Sequence, residues 1–100
     1  MITFSRFELA NGLRVIVHED DSTPMVAVNV LYNVGARDES PEKTGFAHLF
    51  EHLMFKGTEK NPEGVYDDAI EENGGSNNAF TTRDYTGYHV DMPSGTLKKV

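Results

Sequence analysis

His48 and His52 stand four residues apart, with Glu51 immediately before the second histidine. On a helix, residues i and i+4 lie one turn apart on the same side. At about 100° per residue, His48, Glu51 and His52 span a wedge of about 100°. Phe46, Ala47, Leu49, Phe50, Leu53 and Met54 fill most of the opposite arc. The pattern predicts a largely buried helix with one polar wedge aimed into a cleft. Two imidazoles and a carboxylate buried without partners are costly, so the wedge calls for one. Zinc suits imidazole nitrogens, and a catalytic zinc site keeps one position open for water. The competing reading is a core helix whose histidines are satisfied by hydrogen bonds. Two histidines at this spacing do not separate the two; the carboxylate in the wedge favours the metal.

Read backwards, His48-Leu49-Phe50-Glu51-His52 is the H-E-x-x-H of zinc proteases, a known inverted form. The longer stretch from Gly45 to Thr58, with its Phe55-Lys56-Gly57-Thr58 ending, closely resembles the active-site helix of the pitrilysin/insulinase family of zinc metallopeptidases. It is most similar to the branch holding the mitochondrial processing peptidase beta subunit and its bacterial relatives, and the likeness runs from Leu13 to about Met92. The resemblance implies that His48 and His52 hold Zn2+. Glu51 is then the general base that takes a proton from water attacking a scissile carbonyl and passes it to the leaving amine. It also implies a third ligand, a glutamate well downstream of His52 and past Val100. Glu71 and Glu72 lie too near in sequence to match it. Residues 1–100 are therefore expected to be the N-terminal portion of a single zinc-peptidase domain. In the family, that domain is one of several homologous units forming a chamber, so a homologous domain or subunit is an expected partner.

The elements that would position these residues can be read in order. Phe4–Ala10 and Leu13–Glu19 read as strands joined by a tight turn at Asn11-Gly12. Met25–Val34 is the most β-prone segment; Val26, Val28, Val30, Tyr32 and Val34 share one face, which should pack against the helices. Ser40 as N-cap and Pro41 at the first turn predict the start of the metal helix, with Gly45 inside it and Gly57 just past its end. A second helix is expected from Asn61-Pro62 through Asn73, its stripe being Val65, Ala69 and Ile70, stopped by Gly74-Gly75. Ser76–Thr82 and Tyr85–Met92 follow as two strands around Arg83-Asp84, and Ser94 opens a third helix. The fold class is α+β, an antiparallel sheet with helices packed on one face. His18, Tyr85, Tyr88 and His89 read as ordinary strand residues.

Composition narrows the function classes. The chain has 100 residues, 38% hydrophobic and 25% charged, which fits one ordinary globular unit. A net charge of −7 with no basic stripe argues against nucleic acid as a partner. There is no cysteine, hence no disulfide framework and no thiolate zinc site. No apolar run reaches the length of a membrane span, and Met1–Arg6 has no signal-peptide hydrophobic region. The expected compartment stays open: cytoplasmic, or periplasmic or organellar if a leader is removed.

The resemblance implies a second site element at Gly74–Thr81. In the resembling family the matching Asn-Ala-x-Thr strand is an edge strand near the zinc, and its backbone pairs with the substrate as an added strand. Asn78, Ala79 and Phe80 are therefore the expected substrate-binding residues. Alternation sends Asn78 and Phe80 to one face and Ala79 and Thr81 to the other. Phe80 reads equally as a pocket wall and as a core aromatic. The activity expected of the intact protein is zinc-dependent hydrolysis of extended peptides. The rival is a non-catalytic family member serving as a peptide-binding or scaffold subunit. The residue at the third-ligand position separates the two.

Overall fold

A computed structural model describes residues 2–99. The elements run β1 (Ser5–Glu8), β2 (Arg14–Val17), β3 (Met25–Tyr32), α1 (Phe46–Leu53), α2 (Val65–Glu72), β4 (Ser76–Thr81) and β5 (Thr86–Pro93). Short 3-10 turns occupy Ala36–Asp38 and Ser94–Lys99. The expected third helix is thus a 3-10 turn. Every strand pair is antiparallel, and the fold is α+β.

The strands form two sheets rather than one. β1 and β2 make a separate hairpin, while the main sheet has the order β3-β5-β4. Its register pairs Tyr32 with Thr86 and Thr81 with Thr86, so residues directly opposite share a face. One face carries Val26, Val28, Val30 and Tyr32 of β3, Thr86, Tyr88, Val90 and Met92 of β5, and Asn77, Ala79 and Thr81 of β4. Both helices lie over β4 on this face. The core is small: Ile70 of α2 is fully buried against Val90 and Met92.

β3 departs from expectation. Its valine face is correctly aligned, but the helices cover the opposite edge of the sheet. Val28 and Val30 stay 37% and 42% exposed. An open groove of about 840 Å³ remains between β3 and α1, lined by Tyr32, Val34, Phe46, Phe50, Leu53 and Tyr88 among others.

The helix boundaries also differ, and glycine explains them. α1 starts at Phe46, not at Pro41, because Gly45 takes φ 85° and acts as the N-cap. Residues 41–45 are turns. α2 likewise starts at Val65 behind Gly64, whose φ is 93°. Left-handed backbone cannot continue a right-handed helix, so each glycine sets a first turn that the Ser-Pro and Asn-Pro signals put earlier. At the other end, α1 closes at Leu53 with Met54 as C-cap, and Gly57 instead bridges to Pro62.

Candidate metal and catalytic site

α1 presents its motif differently from the expected buried helix. Glu51 is its buried residue, at 9% exposure, and Ala47 one turn earlier is half-buried. This narrow stripe faces β4. His48 and His52 are exposed at the rim, and Phe46, Leu49, Phe50 and Leu53 are 42–59% exposed. The arc read as core is therefore open among the described residues, because no described element packs over it.

The two histidines converge. Their Nε2 atoms are 2.9 Å apart. Two nitrogens on one tetrahedral zinc, each about 2.0–2.1 Å from the metal, are separated by about 3.3 Å. The observed separation falls a few tenths of an ångström short of that, so a small opening of the pair would let one zinc ion reach both nitrogens. The same distance suits an N–H···N hydrogen bond between neutral rings, the satisfied-histidine alternative. No group of three His, Cys, Asp or Glu able to hold a metal occurs among the described residues, and Glu71 and Glu72 are exposed on α2.

Glu51 is fixed from the sheet. Its Oε2 accepts a hydrogen bond from the Thr81 hydroxyl on β4. Tyr88, on the same sheet face, feels this environment. Burial first, then the negative charge of Glu51, then Tyr32, push its phenol above the ordinary value of 10.0.

The helix N-terminus is held by a residue the sequence pattern does not flag. Glu39 Oε2 accepts from the Gly45 N–H at 2.6 Å and Oε1 from the Ala47 N–H at 2.9 Å. Two of the orphan donors of the first turn are thereby met by one carboxylate, which also suits the positive end of the helix. The segment before Glu39 is tied to the turn after β4. Ala36 and Arg37 donate their N–H groups to the Thr82 and Arg83 carbonyls at 3.1 and 2.9 Å, and Arg37 pairs with Asp84 at 3.2 Å. A single connection thus braces both the helix that carries Glu51 and the strand that carries Thr81.

The expected substrate residues divide. β4 is an edge strand of its sheet, with one side paired to β5 and the other unpaired among the described residues. Ala79 faces the helices beside Thr81, whereas Asn78 and Phe80 face the far side of the sheet. The Phe80 ring covers Gly87, where a Cβ would lie 2.7 Å from its Cζ, and stacks edge-on with Tyr85 at 5.6 Å. Its side chain is not brought together with the histidines. Asn78 turns its Oδ1 to the Ala79 N–H at 2.8 Å. Thr81 and Glu39 are the site residues that sequence reasoning missed. For Thr81 the signal was available, since alternation already puts it on the Ala79 face. For Glu39 there was none, because the contact depends on how the chain folds back between residues 39 and 45.

Known proteins resemble this chain over nearly its whole length. The model of the family described as Insulinase (Peptidase family M16) matches residues 14–100. The chain is 40% identical over 92 residues to the zinc protease PqqE of Helicobacter pylori, covering 91% of this chain and 21% of that protein. It is 41% identical over 84 residues to the Arabidopsis thaliana protein named "Probable mitochondrial-processing peptidase subunit beta, mitochondrial", covering 84% of this chain and 16% of that one. The crystal structure of a protease from Helicobacter pylori superimposes with a TM-score of 0.93 at 36% identity, over 99% of this chain and 24% of that chain. The chain therefore spans a quarter or less of the length of each of these relatives. With its histidine pair, its buried carboxylate and a match over nearly its whole length, the chain belongs to the insulinase family of peptidases, M16.

Proposed function

We propose that the intact protein is a zinc-dependent endopeptidase acting on extended peptides. The observation that carries this reading is a buried Glu51 carboxylate on the same helix as two ring nitrogens 2.9 Å apart. His48 and His52 would hold the metal, and a carboxylate from beyond Val100 would complete the ligand set. Zinc, when bound, supplies Lewis-acid polarisation of the scissile carbonyl and acidifies water. Glu51 takes the proton from that water as it attacks, then delivers it to the departing amine nitrogen. The free edge of β4 receives the peptide as an added strand, with the backbone of Asn78, Ala79 and Phe80 supplying the pairing. Small Ala79, on the Glu51 side, lets the substrate main chain come close. A homologous domain or subunit completes the enclosure that holds the peptide there; the Arabidopsis relative is itself named as a subunit.

The test is Glu51→Gln beside His48→Ala in the full-length protein, with zinc content and peptide turnover read on each. Glu51→Gln should keep its zinc and lose turnover, while His48→Ala should lose both. Near-normal cleavage by Glu51→Gln refutes the base role. Failure of the unaltered full-length protein to bind zinc or cut peptides moves the reading to a scaffold subunit.

A further inference from the structure

We propose that Thr81 is a positioning residue for Glu51, holding one carboxylate oxygen so that the other faces the reacting water. The inference rests on the reading of Glu51 as the base. The Thr81 hydroxyl donates to Glu51 Oε2, joining α1 to β4 across 30 residues of sequence. Oε1 has no hydrogen-bond partner among the described residues. Yet among the described residues no buried side-chain oxygen is left unsatisfied, so Oε1 reaches solvent although Glu51 itself is buried. The two oxygens are thereby made unequal, one committed to the protein and one open.

The terminal torsion of a glutamate is broad and two-fold, so an untethered carboxylate samples many planes. A hydroxyl donor fixes that plane only if the donor is itself fixed. Thr81 is β-branched, which restricts its χ1. It lies in a strand register opposite Thr86, whose own hydroxyl donates to the Val34 carbonyl at 2.9 Å. The next residue, Thr82, accepts the Ala36 N–H at 3.1 Å. The tether is thus anchored on both sides of β4's end. A threonine hydroxyl has one proton, and here it is spent on Glu51.

Thr81→Val keeps shape and strand preference but removes the donor; Thr81→Ser restores the donor without the methyl. In the full-length protein Thr81→Val should lower kcat about 10- to 100-fold, as expected for a misplaced reacting group. KM and zinc content should change little, and Thr81→Ser should recover most of the kcat. A crystal structure of zinc-loaded Thr81→Val should show the Glu51 carboxylate rotated or in two positions. Wild-type kcat in Thr81→Val overturns the proposal, as does Thr81→Ser falling as far as Thr81→Val, or a loss carried by KM or by zinc content. Glu51→Gln in the same assay separates the levels. If Glu51→Gln is inactive and Thr81→Val is fully active, only the tether fails; if Glu51→Gln is active, the base assignment fails with it.

Discussion

α1 and α2 are built alike and used differently. Each has eight residues, each follows a glycine of positive φ, and each lies over β4. α2 buries Ile70 completely onto Val90 and Met92, and Asn77 of β4 ties to its Asp67 at 3.0 Å. α1 buries a carboxylate instead and leaves its aromatic and leucine side chains open. α2 carries Asp67 and Asp68 in its own first turn, favourable at the positive end of a helix. α1 has no acid there and takes Glu39 from outside. One helix secures the sheet; the other gives its buried position to a carboxylate and leaves its apolar arc open among the described residues. A helix that buries a carboxylate gains little from burial and depends on hydrogen bonds for its seat.

That division of labour can be broken most sharply by paired substitutions in the full-length protein. Glu51→Gln should reduce turnover by about 10²- to 10⁴-fold, the range for loss of a general base, with the melting temperature nearly unchanged. Ile70→Ala should do the reverse. It removes a fully buried side chain and should cost about 2–5 kcal/mol in a denaturant titration, with kcat per folded molecule retained. If Ile70→Ala instead abolishes kcat in folded protein, the two helices are not separable. Glu39→Ala should cost about 1–2 kcal/mol, the worth of a lost helix cap, and should loosen zinc because His48 lies in the first turns of α1. Unchanged zinc affinity and stability in that variant would show that the capping carboxylate is replaceable by water.

The smallest effect is a titration. The Tyr88 phenol lies above its ordinary value of 10.0, so its folded-state proton is held more tightly than the unfolded one. Stability from this group is complete below pH 10 and falls as pH rises through the folded value. Because Glu51 is one cause of the rise, Glu51→Gln should move the Tyr88 phenolate transition, followed by ultraviolet absorbance, to lower pH. No movement would mean that burial and Tyr32 set it without Glu51.

Much of this was legible from local patterns. Five strands appear where alternation and the Asn11-Gly12 and Arg83-Asp84 turns put them, and Val26, Val28, Val30 and Tyr32 do share a face. The histidine and glutamate spacing put the motif on one helix, and β4 is the edge strand expected of Asn78–Thr81. What could not be read was tertiary. Ser40-Pro41 is a sound start signal, but Gly45 in left-handed backbone overrode it, and φ is not written in residue type alone. The apolar arc of α1 reads as core because periodicity reports what is apolar, not what covers it. Whether Phe80 or Thr81 faced α1 depended on which side of the sheet the helices chose.

The tether between Glu51 and Thr81 also bears on how the protein comes to be folded. α1 can form from its own neighbours, but the hydroxyl that seats its carboxylate is 30 residues away, on a strand whose pairing runs through β5 to β3. Contacts of such sequence separation form slowly, because the intervening chain must be ordered first. Helix formation alone therefore leaves Glu51 unseated, and its carboxylate acquires its geometry only when the central sheet has assembled.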